Sequence, residues 1–153
     1  MNNIEVVRAE KERDLLFIIN SQIQMALETE NYVLQYDNIA KGAEAVFSDK
    51  HKGVYWVALL DGIPIASLLQ TYEWSDWRAR TVWWIQSVYV LPQYRGHGVF
   101  QKMYHTLKEI VEKDDSLAGL RLYVDKSNEK ALAIYHKLGM NSSHYHLCEW
   151  LKF

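Results

Sequence analysis

Apolar residues recur along this chain at helical spacing near the N-terminus and at strand spacing further on. Ile4 to Ala9 reads as a short strand. From Asp14, the residues Leu15, Ile19, Ile23 and Leu27 fall near the helical period, and Leu16 and Ile18 widen the stripe. Ile39, Ala43, Val46 and Phe47 predict a second, shorter helix. The period then changes. Val54 to Leu60 and Ile63 to Glu73 are strand-like runs joined by Asp61-Gly62, a strong signal for a two-residue hairpin. Pro64 falls near a strand start, where a missing N–H is tolerated. Thr81 to Val90, rich in β-branched and aromatic residues, predicts a further strand.

A helix follows, with Val99, Met103, Leu107, Ile110 and Val111 on one stripe. Leu120 to Val124 predicts a strand, and Asn128 to Leu138 a helix with Ala131, Ile134, Tyr135 and Leu138 on one face and Gly139 as its stop. His144 to Leu151 alternates and reads as a last strand. The predicted order is β-α-α-β-β-β-α-β-α-β. A strand-helix-strand unit from Thr81 to Val124 is embedded in hairpin-connected strands, so the expected fold is α/β of the α+β type. Its sheet is mixed, mostly antiparallel and flanked by helices, in one domain over residues 1–153.

Composition narrows the function classes. The chain is 49% apolar and 24% charged, which is globular rather than disordered. A net charge of -2 argues against a nucleic-acid partner, since such binding usually needs a concentrated basic face, so none is expected. No apolar run approaches the roughly 18 residues of a membrane span, and the N-terminal residues lack a secretory layout. Cys148 is the only cysteine and has no internal disulfide partner, which suits a reducing cytoplasm. Its plain reading is a small apolar strand residue.

Arg95-Gly96-His97-Gly98-Val99-Phe100 lies between a strand and a helix. Glycines there allow close approach of a ligand to the backbone. The first N–H groups of the following helix have no acceptor within it and sit at its positive dipole end, which suits a phosphate or pyrophosphate. Arg95 would add a charge-assisted contact. A tight glycine-capped turn without ligand is the competing reading. No Gly-x-x-x-x-Gly-Lys-Ser/Thr string exists, which excludes a P-loop. A dinucleotide fingerprint fails at its third glycine, where Gln101 stands, although Asp125 is a tolerable acidic partner.

The stretch Val88-Tyr89-Val90-Leu91-Pro92-Gln93-Tyr94-Arg95-Gly96-His97-Gly98-Val99 resembles the acetyl-CoA-binding motif of the GNAT N-acetyltransferase superfamily, whose core is Arg/Gln-x-x-Gly-x-Gly/Ala. Asn128-Glu-Lys-Ala131-Leu-Ala-Ile-Tyr135-His-Lys-Leu-Gly139-Met140 is similar to the second family motif. Order and separation also agree. The resemblance implies acetyl-CoA as co-substrate and an amine as acceptor, with no metal. It implies that Val88 and Val90, with Tyr89 between them, line the pantetheine arm. The N–H groups of Arg95, Gly96, His97, Gly98, Val99 and Phe100 would cradle the pyrophosphate, and Asn128 would face the thiol end. Tyr135 would be the general acid that protonates the departing thiolate. Read alone, Tyr135 is a core aromatic and Asn128 a helix N-cap. Phe100 stands where the family usually has Gly or Ala, and its bulk would either crowd the phosphates or turn inward. The resemblance also suggests a homodimer, which no sequence feature demands.

Many relatives carry a glutamate on the preceding strand where this chain has Trp84, and neither Ile85, Gln86 nor Ser87 is a carboxylate. A water-mediated route for the acceptor's proton is therefore expected. Candidate acceptor-binding residues are Glu73, Trp74 and Asp76, in a turn that also holds Trp77, together with Gln86 on the strand. The carboxylates would attract a cationic amine and the indoles would stack on it. A solvated hairpin turn is the competing reading. His144 and His146 share a strand face near His136, but a metal site would need further ligands, so none is expected. A CoA-binding sensor or scaffold without turnover is the alternative from another functional class.

Overall fold

Asp61 and Gly62 close a hairpin between the strands Val54–Leu60 and Ile63–Ser75 with φ of 51° and 81°, the pair of positive values that a two-residue turn matched to strand twist requires. The computed structural model describes residues 3–152. Its elements are β1 (Ile4–Arg8), α1 (Lys11–Glu30), α2 (Tyr36–Ser48), β2 (Val54–Leu60), β3 (Ile63–Ser75), β4 (Arg80–Val90), a 3-10 turn at Pro92–Tyr94, α3 (Val99–Lys113), β5 (Leu117–Arg121) and α4 (Glu129–Lys137). They fall into two compact units, residues up to Arg121 and from Leu122 onward.

The first unit contains a five-stranded sheet in the order β1-β2-β3-β4-β5. The first three pairings are antiparallel, and β4–β5, joined through α3, is parallel. This is the mixed sheet flanked by helices that the sequence predicts. Pro64 sits at an irregularity of the β2–β3 pairing, opposite Leu59, where its missing N–H breaks no regular ladder.

The apolar runs of β2, β3 and β4 are nearly continuous because both faces of the sheet are covered. Tyr55, Val57 and Leu59 cluster with Ile18 and Ile19 of α1 and Ala43 of α2. The intervening Trp56 and Ala58 point to the opposite face and are also buried. α3 packs on β1, β2 and β5 through its buried Val99, Met103, Tyr104 and Leu107. Each large side chain buried in this way contributes about 1.5–3 kcal/mol.

α1 begins at a buried charge. Asp14 is fully buried, and its Oδ2 accepts the Glu10 N–H at 2.8 Å. Arg13 donates to both carboxylate oxygens, Nε to Oδ1 and Nη2 to Oδ2, each at 2.8 Å. Asp14→Ala removes these bonds and strands the Glu10 N–H. Arg13 can still turn toward water, so the expected loss is about 2–4 kcal/mol, read by chemical denaturation.

Two segments differ from expectation. β5 begins at Leu117 rather than Leu120. The Asp114–Ser116 turn delivers the chain to the sheet early, and Leu117 enters register opposite Thr81. His144–Leu151, expected as a last strand, forms none. Its alternation is strand-like, but a strand needs a hydrogen-bonded neighbour, and the second unit has no other strand among its described residues. Tyr145, Leu147, Trp150 and Leu151 are accordingly exposed. Cys148 is exposed too, rather than buried.

Candidate functional site

β4 changes character at Ser87. Leu69 pairs with Gln86 and Ser67 with Tyr89, so Leu68 alone opposes both Ser87 and Val88. This is a β-bulge, and Ser87 takes the left-handed φ of 50° that lets the extra residue fit. Pairing with β5 ends at Trp84↔Arg121, whereas pairing with β3 continues to Val90. Among the described residues, β4 therefore has one unpaired edge from Ile85 to Val90.

The direction of that edge follows from the backbone. The Leu91 N–H donates to Ile65 O on the β3 side at 2.9 Å. Successive residues of a strand turn their polar groups to alternate edges, so Val90 and Val88 present N–H and C=O away from β3. An extended amide-bearing chain could pair there as an added strand.

Beyond the strand, Pro92–Tyr94 makes one 3-10 turn, and Gly96 and Gly98 follow with φ of 78° and 75°. Gly96 has open space around a hypothetical Cβ, so its backbone angle alone calls for glycine. At Gly98 a Cβ would also lie 2.9 Å from Gln101 Oε1. Gly98 is the N-cap of α3, and the first bond of that helix runs from the Lys102 N–H to Gly98 O. The earlier N–H groups of the turn thus point out of the helix end, where an anion is favoured. Buried Val99 anchors the turn to the core. Phe100 is half-buried, with its ring 6.4 Å from that of Tyr104 one turn further along α3.

Arg95 folds back against β4 and α1 while its side chain stays partly exposed. Its Nη2 lies 2.7 Å from Glu28 Oε2, its Nε donates to Val90 O at 2.9 Å, and its guanidinium sits 5.3 Å from the centre of the Tyr89 ring. The Tyr89 hydroxyl donates to Glu28 Oε1 at 2.9 Å. Desolvation pushes the Glu28 carboxyl pKa up, but hydrogen bonds from Arg95 and Tyr89 and the Arg95 charge outweigh it, and the net shift is downward. Burial, reinforced by the bond and charge of Glu28, raises the Tyr89 phenol. Glu28 was not singled out from the sequence. One signal was available: Asp14, Ile18, Ser21, Met25 and Glu28 recur at steps of four and three residues, so Glu28 ends the stripe of α1 that faces the sheet.

The expected acceptor-side residues divide, with Glu73 and Gln86 on one face of the β3–β4 pair, Trp74 on the other and Asp76 in the turn. Glu73 is a strand residue at the end of β3, not part of the turn. Its carboxylate accepts the Trp84 indole N–H at 3.2 Å and pairs with Arg121. Trp74 also belongs to β3 and is exposed, as is Trp77. Asp76 opens the turn, and its Oδ1 accepts the Trp77 N–H at 3.0 Å. Gln86 donates from Nε2 to Thr71 Oγ1 at 2.6 Å. His97 is exposed in the glycine turn.

In the second unit, Asn128 caps α4, its Oδ1 accepting the Ala131 N–H at 3.1 Å. Asp125 braces the approach by accepting from the Ser127 N–H and hydroxyl at 2.8 and 2.6 Å. Tyr135 is half-buried on α4, and burial raises its phenol above the ordinary tyrosine value. His136 Nε2 lies 2.8 Å from Ser142 Oγ. Among the described residues, no three His, Cys, Asp or Glu side chains converge on a common point, and no helix is long and apolar enough to cross a membrane.

Comparison with known proteins decides the family. The model of the acetyltransferase (GNAT) family matches residues 18–140, most of the chain and both motifs. The chain belongs to the GNAT acetyltransferase family. Over its whole length, this GNAT chain is also similar to the crystal structure of a possible acetyltransferase from Clostridium difficile 630, with 38% identity, 99% of each chain covered and a TM-score of 0.91. A thialysine N-epsilon-acetyltransferase of Bos taurus is 32% identical over 71 residues, which is 46% of this chain and 41% of that protein. The mouse protein of the same name is 34% identical over the same share. The match thus spans about two fifths of these relatives.

Proposed function

We propose that this GNAT protein transfers the acetyl group of acetyl-CoA directly to a primary amine of a small molecule or peptide. The observation that carries the reading is the open edge of β4 at Val88–Val90, which leads straight into the glycine turn and the N-terminus of α3. The edge offers N–H and C=O groups to the amides of a pantetheine arm, and the turn offers N–H groups to the diphosphate at its far end. One ligand, CoA, has both parts in that order.

The amine must lose a proton before it attacks, since an ordinary alkylamine with a pKa near 10.4 is mostly cationic at neutral pH. Its nitrogen then bonds to the carbonyl carbon and the C–S bond breaks. The electron pair leaves on sulfur, which takes up a proton. Tyr135 supplies that proton as general acid, and its raised pKa keeps the phenol protonated at working pH. Asn128 orients the thiol end while capping α4. The proposed setting is the cytoplasm.

The bovine relative acts, by its name, on the ε-amine of thialysine, and this favours an aminoalkyl acceptor for the present chain. Acetyl-CoA incubated with thialysine, lysine, polyamines and N-terminal peptides is expected to release free thiol with at least one acceptor. CoA binding without release for any amine would favour a CoA-binding sensor instead. Absence of CoA binding would overturn the assignment.

A further inference from the structure

A cavity of about 260 Å³ lies against β4, lined by Met25, Glu28 and Thr29 of α1 and by Val88–Val90 with Arg95. Its polar groups are not free. Arg95 borders it and engages them: one guanidinium edge holds Glu28 and the Nε caps the Val90 carbonyl. That carbonyl belongs to the edge where the pantetheine arm would pair, so Arg95 as placed here competes with the ligand for it. Both charged side chains remain reachable from solvent, at 45% exposure for Arg95 and 35% for Glu28.

We infer that Glu28 is the acceptor-amine carboxylate of this site, and that Arg95 masks it until CoA draws the guanidinium away. The inference rests on the function proposed above. A diphosphate at the first turn of α3 carries more negative charge than one carboxylate and offers bidentate acceptors, so it outcompetes Glu28 for Arg95. That movement does two things at once. It uncovers the Val90 carbonyl for the arm, and it leaves Glu28 ionised beside an apolar wall of Met25 and Val88. A carboxylate that has lost its cation attracts another, and the acceptor arrives as an ammonium. The Tyr89 hydroxyl keeps Glu28 aimed at the cavity after Arg95 has gone. Binding is therefore ordered, CoA first and amine second. This carboxylate comes from α1, in a chain that has Trp84 where relatives carry one on the strand.

The same exchange sets opposite signs for the two ligands in Glu28→Gln, which keeps the shape and removes the charge. Calorimetric titration with CoA is expected to show binding about threefold to tenfold tighter than wild type, because Arg95 no longer leaves an ion pair. A second titration compares S-(2-aminoethyl)-CoA with S-(2-hydroxyethyl)-CoA, which place an ammonium or a neutral hydroxyl where the reacting amine would sit. Wild type is expected to favour the ammonium form by about tenfold or more, and Glu28→Gln to show little preference. Unchanged or weaker CoA binding in the variant would overturn the masking. Equal affinity for the two conjugates in wild type, or a preference retained in the variant, would overturn the role of Glu28 toward the amine. Failure of wild type to bind CoA at all is a different result, and it removes the proposed function itself. A matching thermal melt for the variant excludes unfolding as the cause.

Discussion

Replacing Tyr135 with phenylalanine is expected to lower kcat by about 10²- to 10⁴-fold while leaving CoA affinity near wild type. The loss corresponds to about 3–5 kcal/mol of transition-state stabilisation. The phenol is a weak acid, but the group it is proposed to serve is a thiolate with a conjugate-acid pKa near 8.5, close enough for a positioned donor to matter. The acid role also fixes a pH dependence. The protonated phenol is the active form, and burial raises its pKa above the ordinary 10. This group should therefore cause no loss of wild-type turnover through neutral and mildly alkaline pH, and the fall it causes should come only above about pH 10. The phenylalanine variant should lack that alkaline limb. Steady-state rates across pH for both proteins test the two statements together. An unchanged kcat in the variant would leave Tyr135 as a packing residue of α4.

Gly98→Val is expected to weaken CoA binding by at least about 30-fold. A β-branched residue is a severe misfit at φ of 75°. Its Cβ would also meet Gln101 Oε1 at 2.9 Å, so either the turn or that side chain must move. The N–H groups of the turn work as a set, and a rotation of the N-cap re-aims them together. Gly96→Ala provides the contrast. Open space surrounds that position, so only the backbone angle is penalised, by about 1–2 kcal/mol. Calorimetry should rank wild type, Gly96→Ala and Gly98→Val in order of falling affinity. Wild-type affinity in Gly98→Val would mean that the diphosphate does not sit on the first turn of α3.

The sequence was most informative where local chemistry leaves the backbone few choices. Asp61-Gly62 can hardly be anything but a hairpin turn. The stripe from Val99 to Leu107 has no strand reading, and Asn128 caps α4 as its residue type suggests. It was silent where tertiary context decides. Ser87 carries no mark of the left-handed backbone it adopts, because serine is not a residue that position selects by itself. β5 slid three residues because the length of the preceding turn set its register. The alternation in His144–Leu151 expresses an intrinsic preference that the described residues do not realise as a strand. Of the candidate site, the glycine turn was legible in detail. The strand predicted to end at Glu73 runs on to Ser75, so Glu73 and Trp74 lie within it rather than in a turn, with Trp84 and Arg121 on the Glu73 carboxylate. Glu28 went unnoticed because a glutamate near a helix end is ordinary. Only its position on the sheet-facing stripe distinguishes it from Glu30.

The extra residue in β4 has a consequence for how the strand can change. From Gln86 to Tyr89 the strand advances three residues while its partner advances two, and both residues still face α1 and α2. The bulge absorbs what would otherwise be a half-period error. Drawn out into regular pairing, the same sequence would turn Tyr89 over to the α3 face and swing the Val90 carbonyl into the ladder with β3. β4 is thus two half-strands with separately set phases. The half before Ser87 is locked to the core through Val82, Trp83 and Ile85. The half after it keeps its own phase, so a change of length at this single place would re-aim the groups from Val88 to Val90 and unseat Tyr89, while Val82, Trp83 and Ile85 keep their packing.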